Sequence, residues 1–366
     1  MATGKWTKIG GVWKPITAEW VKVGGVWKQV ASNYLKIGGA WKTIPVGEKY
    51  LFACEQFSDG IYGLDDTPTD LAGWPTFSIT DPADVACDSA GNSYWACANN
   101  VYKVALNGSI TWTYTGHTLA VLAIAIDAAG NVYTGDDGGT LKKINSSGSE
   151  VFSISVGTNQ SIYALAVDYS AGQLYVGCKR LSTYALYRVN TSTFTKSVVP
   201  INFSHGSPIY GDVTGIAIDE GLPCLYIGTS NGYLLKSTIA GYIYNDYGWG
   251  VTAPVCGTCR HVRIGHDGYG YYAGGSSKTI VKFDPATGIA SWTYTASGTA
   301  ASFGCAVDMF GNVYGTWYVA GTSTYNVVRK LSSSGAVPVV KWTWQPYTGA
   351  QFRGIAVTPG IRAAGF

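Results

Sequence analysis

One phrase recurs six times between residues 85 and 314 and restricts the fold more than any other feature of the chain. It consists of a short apolar strand, an Asp, two residues, a Gly and then a strand centred on Tyr. Val85–Asp88 leads to Gly91 and Tyr94, Ile124–Asp127 to Gly130 and Tyr133, and Cys305–Asp308 to Gly311 and Tyr314. Looser copies are Leu165–Asp168 with Tyr175, Ile216–Asp219 with Tyr226, and Val262–Asp267 with Tyr271. The six Asp lie 39, 41, 51, 48 and 41 residues apart. A period of about 40–50 residues with several strands per unit is the pattern of a β-propeller, one blade per repeat.

Within a unit, Leu141–Ile144 reads as a third strand and Val151–Ile154 as a fourth, separated by an Asn-x-Ser-Gly turn. Six such blades fill residues 83–344. A seventh is split: Phe352–Val357 repeats the first-strand phrase, and Pro359 follows it at once. Pairing it with Tyr50–Phe52, followed by Gly60–Tyr62 and Pro75–Phe77, closes the ring and leaves no open sheet edge. The expected fold is therefore all-β: a seven-bladed propeller of four-stranded blades over 48–366, closed by N- and C-terminal strands. Composition agrees, since 48 Gly and 26 Tyr beside only 13% charged residues is the usage of short strands and tight turns. The repeated Asp belongs to that scaffold, because Asp at the first turn position accepts backbone N–H groups while Gly supplies the left-handed residue.

Residues 1–47 repeat differently, with a period of 14. Trp6–Lys14, Trp20–Lys28 and Tyr34–Lys42 each carry Lys-[Ile/Val]-Gly-Gly-[Val/Ala]-Trp-Lys. Two glycines between β-prone flanks mark a two-residue hairpin, with Lys8 opposite Trp13 and Ile9 opposite Val12. This arm is basic: through residue 48 it has seven Lys against two Glu, a net +5, and the remaining eighteen Lys and Arg face twenty acidic residues, a net −2. Five of the 13 Trp also lie in the arm. A two-stranded hairpin is marginal alone in water, so the arm is expected to pack on itself or on another protein.

Two resemblances follow. The body phrases, together with Asp284–Trp292 and Asn107–Trp112, resemble the repeats of NHL and quinoprotein propellers. No vicinal Cys pair of the quinoprotein dehydrogenases is present, so that likeness implies architecture only. The arm resembles segments of tailed-phage virion proteins, particularly tail fibre and minor tail proteins, over residues 5–44. It implies a virion structural protein assembled in a host cytoplasm, docked through Trp6, Trp13, Trp20, Trp27, Tyr34 and Trp41 with Lys8, Lys22 and Lys36. The implied partners are other virion proteins, further copies of the arm and a host-surface glycan or protein. The alternatives are a carbohydrate-binding or carbohydrate-cleaving propeller and a bacterial secreted adhesin.

Candidate chemistry is sparse. Eight Cys, at 54, 87, 97, 178, 224, 256, 259 and 305, mostly sit in apolar runs and read as free core thiols. Cys256 and Cys259 with His261 and His266 have metal-ligand types, but six extended residues span about 17 Å, which separates the two His too far for one zinc. Plain thiols or a local disulfide are the remaining readings of that Cys pair. His117 and His205 lie in Gly- or Ser-flanked connections and not in a nucleophile elbow. No catalytic residue, metal or cofactor is expected, and neither nucleic-acid binding, given a body of −2, nor membrane insertion, given no apolar run of about 18 residues. The start of the chain is read as lacking an export signal. Tyr244, Tyr247, Trp249, Trp317 and Tyr318 in blade connections are the candidate ligand-binding aromatics, with burial between blades as the competing reading.

Overall fold

The computed structural model describes six strands of the first 48 residues as backbone only, and residues 50–358 apart from connecting segments. The segments outside the description are 56–59, 66–68, 72–73, 75–76, 169, 180–184, 200–210, 220–223, 240–256, 266, 276, 298–300, 309–310, 320–324, 333–336 and 346–351. The chain divides into two compact units, Met1–Glu48 and Lys49–Phe366. In the first unit, three antiparallel pairs form around the Gly-Gly dipeptides, and Lys8, Lys22 and Lys36 stand opposite Trp13, Trp27 and Trp41.

The second unit is a seven-bladed propeller. Blade 1 comprises Pro82–Cys87, Ser93–Cys97, Asn100–Val104 and Ile110–Tyr114, paired in that order. Blades 2, 3, 5 and 6 repeat the arrangement from Val121, Ile162, Cys259 and Ala301. Blade 4 shows three strands among the described residues, beginning at Val213. Blade 7 is made from both ends: Phe352–Val357 pairs with Leu51–Glu55, followed by Gly60–Leu64 and Phe77–Ser78. Thr358 and Tyr50 extend this seam through N–H donation in both directions, at 2.7 and 2.9 Å.

Each core cluster joins one blade to the next, because a propeller sheet buries both of its faces. Leu141 and Phe152 of blade 2, for example, share a cluster with Val176 and Val189 of blade 3. Close approach is needed where the second strand of a blade meets the first strand of its neighbour. A Cβ on Gly135 would lie 2.3 Å from Ile162, and one on Gly177 would lie 2.5 Å from Val213.

The repeated phrase has a visible cause. Asp127 Oδ1 accepts the N–H groups of Ala129 and Asn131, and its Oδ2 accepts the Asn131 amide and the Tyr133 hydroxyl. Asp88 and Asp308 make the same bonds to Asn92 and Tyr94 and to Asn312 and Tyr314. Burial, and then the Asp charge, raises the Tyr94 phenol well above its ordinary range, so it remains a donor. Across the blade the same row continues: Tyr94 faces Lys103, which faces Trp112, and the Lys nitrogen lies 5.3 Å from the Tyr ring centre. Tyr271, Lys282 and Trp292 repeat this row in blade 5, as do Tyr314, Lys330 and Trp342 in blade 6.

Candidate functional site

The first strands of all seven blades surround a central channel of about 90 Å³. That is well below the few hundred Å³ of a site for a drug-sized ligand. One ring of its lining is defined by strand register. Ala86, Ala125, Ala166, Ala217 and Ala306 each stand opposite the repeated Tyr of their blade, and Ala356 stands opposite Phe52. In blade 5 the residue in that position, opposite Tyr271, is Arg263. Six small side chains and one guanidinium therefore share one level of the channel.

Arg263 donates from one terminal nitrogen to Val262 O at 2.9 Å, and the other lies 3.4 Å from His261 Nδ1. It sits beside the first-strand bulge of blade 5, which falls between Arg260 and Arg263. Such bulges recur in every blade and re-aim the residues around them. The blade 5 bulge gives His261 a positive φ of 44° and stacks Arg260 on the Phe303 ring at 5.3 Å. Burial, and then the Arg263 and Arg260 charges, hold His261 well below its ordinary pKa, so it is neutral. Arg353 contributes a third guanidinium, and its Nε is buried with no hydrogen-bond partner among the described residues. The Arg353 charge also lowers the Arg260 pKa, after burial, which places the two in electrostatic reach.

The carboxylate of this neighbourhood is Asp84. Burial pushes its pKa up to about 6, opposed by the Arg263 charge and by the N–H groups of Val85 and Ile124. Those N–H groups donate to its two oxygens at 2.9 and 3.2 Å, so Asp84 ties blade 1 to blade 2. A Cβ on Gly354 would stand 2.8 Å from the Asp84 Cα, and only Gly allows that approach from blade 7.

A second polar constellation lies between the first and second blades. His117 Nδ1 is 3.0 Å from Asp136 Oδ2, and Nε2 is 2.8 Å from Thr134 Oγ1. The order hydroxyl, imidazole, carboxylate is that of a nucleophilic triad. Its burial argues otherwise, since His117, Thr134 and Asp136 are 2%, 0% and 1% exposed and no substrate reaches them. Burial works against the Asp136 carboxylate, but the His117 bond and the N–H groups of Thr140 and Gly138 hold its pKa below the usual value. The cluster acts as a polar clamp. His117 lies in the connection before Val121 and its partners follow 17 and 19 residues later on Val132–Asp136, so no local motif signals the cluster.

The predicted residues fall into several groups. Contrary to the expectation from the sequence, Trp317 does not lie in a connection, because its strand, Val313–Val319, runs past it. It is fully buried, donates from Nε1 to Lys278 O of blade 5 at 3.0 Å, and packs against Tyr294. It therefore cements two blades and cannot contact a ligand. Tyr318 follows in the same strand, opposite Ala301 and Asn326. Tyr244, Tyr247 and Trp249 lie outside the described residues, as do His205, Cys256 and His266. In the arm, Trp6, Trp20 and Tyr34 stand opposite Pro15, Gln29 and Thr43. The seven described cysteines are buried, and burial pushes the Cys178 and Cys305 thiols up to about 12. No group of three or more His, Cys, Asp and Glu suited to a metal occurs among the described residues.

No family model matches the chain, and no curated protein matches it. Among solved structures it is similar to the WD40 β-propeller domain of Doa1, with a TM-score of 0.56 and 12% identity over 72% of this chain and 84% of that one. At that identity the likeness is one of fold. The protein has a WD40-like seven-bladed β-propeller.

Proposed function

We propose that this chain is a non-enzymatic structural protein of a tailed-phage particle, in which the arm docks and the propeller is displayed. The observation that carries this reading is the triplicate arm, with Lys-[Ile/Val]-Gly-Gly-[Val/Ala]-Trp-Lys three times in one 14-residue register. Each copy is a two-stranded ribbon, too small to bury a core of its own, which suits a segment built to lie against other proteins. Trp6, Trp13, Trp20, Trp27, Tyr34 and Trp41 are the anchors of that contact, and Lys8, Lys22 and Lys36 complement them. Aromatic anchors of this kind dominate protein interfaces. The neighbours are other virion proteins or further copies of the arm. The propeller is the outward module of a tail fibre, tail tip or decoration protein, and its ligand is a glycan or protein of the host surface.

The test compares particles assembled with the whole chain and with residues 48–366 alone. The shortened chain is expected to fold and to be missing from gradient-purified particles, and its normal incorporation would sink the docking role.

A further inference from the structure

Arg263 breaks a sevenfold pattern. Six blades place Ala at this level of the channel, and blade 5 places the largest cation available. Departures from an otherwise consistent repeat concentrate at functional sites, where a local rule is given up for chemistry. Among the described residues no carboxylate lies within ion-pair distance of Arg263, Arg260 or Arg353. Arg263 and Arg260 both act on His261, Arg353 acts on Arg260, and the one carboxylate shown to feel the Arg263 charge, Asp84, is itself buried. A charge left unpaired in such a place is costly, so a counter-ion is expected there.

Size and geometry narrow the ligand. Arg263 uses two of its five N–H donors within its own strand, leaving a fork that matches two oxygens of one oxyanion. A cavity of about 90 Å³ holds one such group and excludes a nucleotide or sugar. The six Ala side chains leave the room, and Arg263 is the one cation among the residues that line it.

We propose that the central channel is a binding site for a single small oxyanion, a sulfate, phosphate or carboxylate, held by Arg263 with Arg260 and Arg353 supplying the surrounding positive charge. It binds the ion between the blades and so fastens the ring from its centre. The inference does not depend on the virion reading.

The test uses the full chain, with its melting midpoint followed during titration with millimolar sodium sulfate against sodium chloride at equal ionic strength. Parallel titrations with phosphate and acetate rank the three chemistries. Wild type is expected to show a saturable rise with at least one oxyanion. Arg263→Ala, which restores the residue of the other six blades and is therefore expected to fold, should lose at least tenfold in apparent affinity. Arg263→Lys keeps the charge without the fork and should fall between them. Asp84→Asn removes the neighbouring negative charge and should bind more tightly. A wild-type midpoint that responds to all salts alike, or an equal saturable rise in Arg263→Ala, would overturn the site. Weaker binding by Asp84→Asn would do the same.

Discussion

Asp308 shows how much one turn residue holds. It is fully buried, and its two oxygens accept the Asn312 N–H at 2.9 Å, the Asn312 amide at 2.8 Å and the Tyr314 hydroxyl at 3.2 Å. Asp308→Ala leaves those donors without an acceptor, and each stranded buried group costs about 1–3 kcal/mol. Chemical denaturation of the variant should therefore show a clear loss of stability, and an unchanged midpoint would refute the scaffold role. Thr134→Val tests the clamp in the same way, by depriving His117 Nε2 of its hydroxyl partner. It should cost about 1–3 kcal/mol. Cysteine reactivity is also a residue-scale outcome, since the seven described thiols are buried. Native protein should react with a thiol reagent at no more than one of its eight cysteines, and unfolded protein at all eight.

At the scale of the element, blade boundaries were legible because the Asp-to-Tyr phrase marks where each first strand turns into a second. The split blade could be read for the same reason, as Phe352–Val357 carries the phrase without a following Tyr strand. The far ends of the strands were not legible. Trp317 and Tyr318 look like a connection when counted from Gly311, yet the second strand of blade 6 runs seven residues to Val319. The channel ring was present in the sequence as Val262-Arg263-Ile264 where other units read apolar, Ala, apolar. It became significant only when register put Arg263 level with the six Ala. Strand pairing across 300 residues supports the closing blade, where Gly354 N–H points at Cys54 Sγ 3.1 Å away. Removing residues 352–366 should therefore lower the melting temperature of the whole propeller and expose the edge of Leu51–Glu55. A truncated protein that melts like the parent would refute closure as a source of stability.

For the molecule as a whole, the ring concentrates its electrostatic tension at the centre. Asp84 is held at a pKa of about 6, above the usual carboxylate value near 4, because burial disfavours its charge. A folded-state pKa that is raised gives a stabilising contribution present below about pH 4 and lost as pH rises through about 6. Asp136, whose pKa is lowered, works in the opposite sense, its contribution being lost as pH falls. The diagnostic quantity is accordingly a difference: Asp84→Asn should abolish the part of the decline between about pH 4 and 6 that wild type shows. Parallel stability profiles for the two proteins would show that Asp84 titrates elsewhere.

The seam between Phe352–Val357 and Leu51–Glu55 also sets an order of events during synthesis. Leu51–Glu55 leaves the ribosome before blades 1 to 6, whereas the strand that covers its edge is translated some 300 residues later. Blades 1 to 6 depend on neighbours close in sequence and can form as they emerge, but the ring stays open until the last of them is made. Throughout that interval the nascent chain carries an uncovered strand edge, the feature most prone to pairing with a stranger. A polysome crowded with such chains is where this protein is most exposed to misassembly, and a mature closed ring is where it is least.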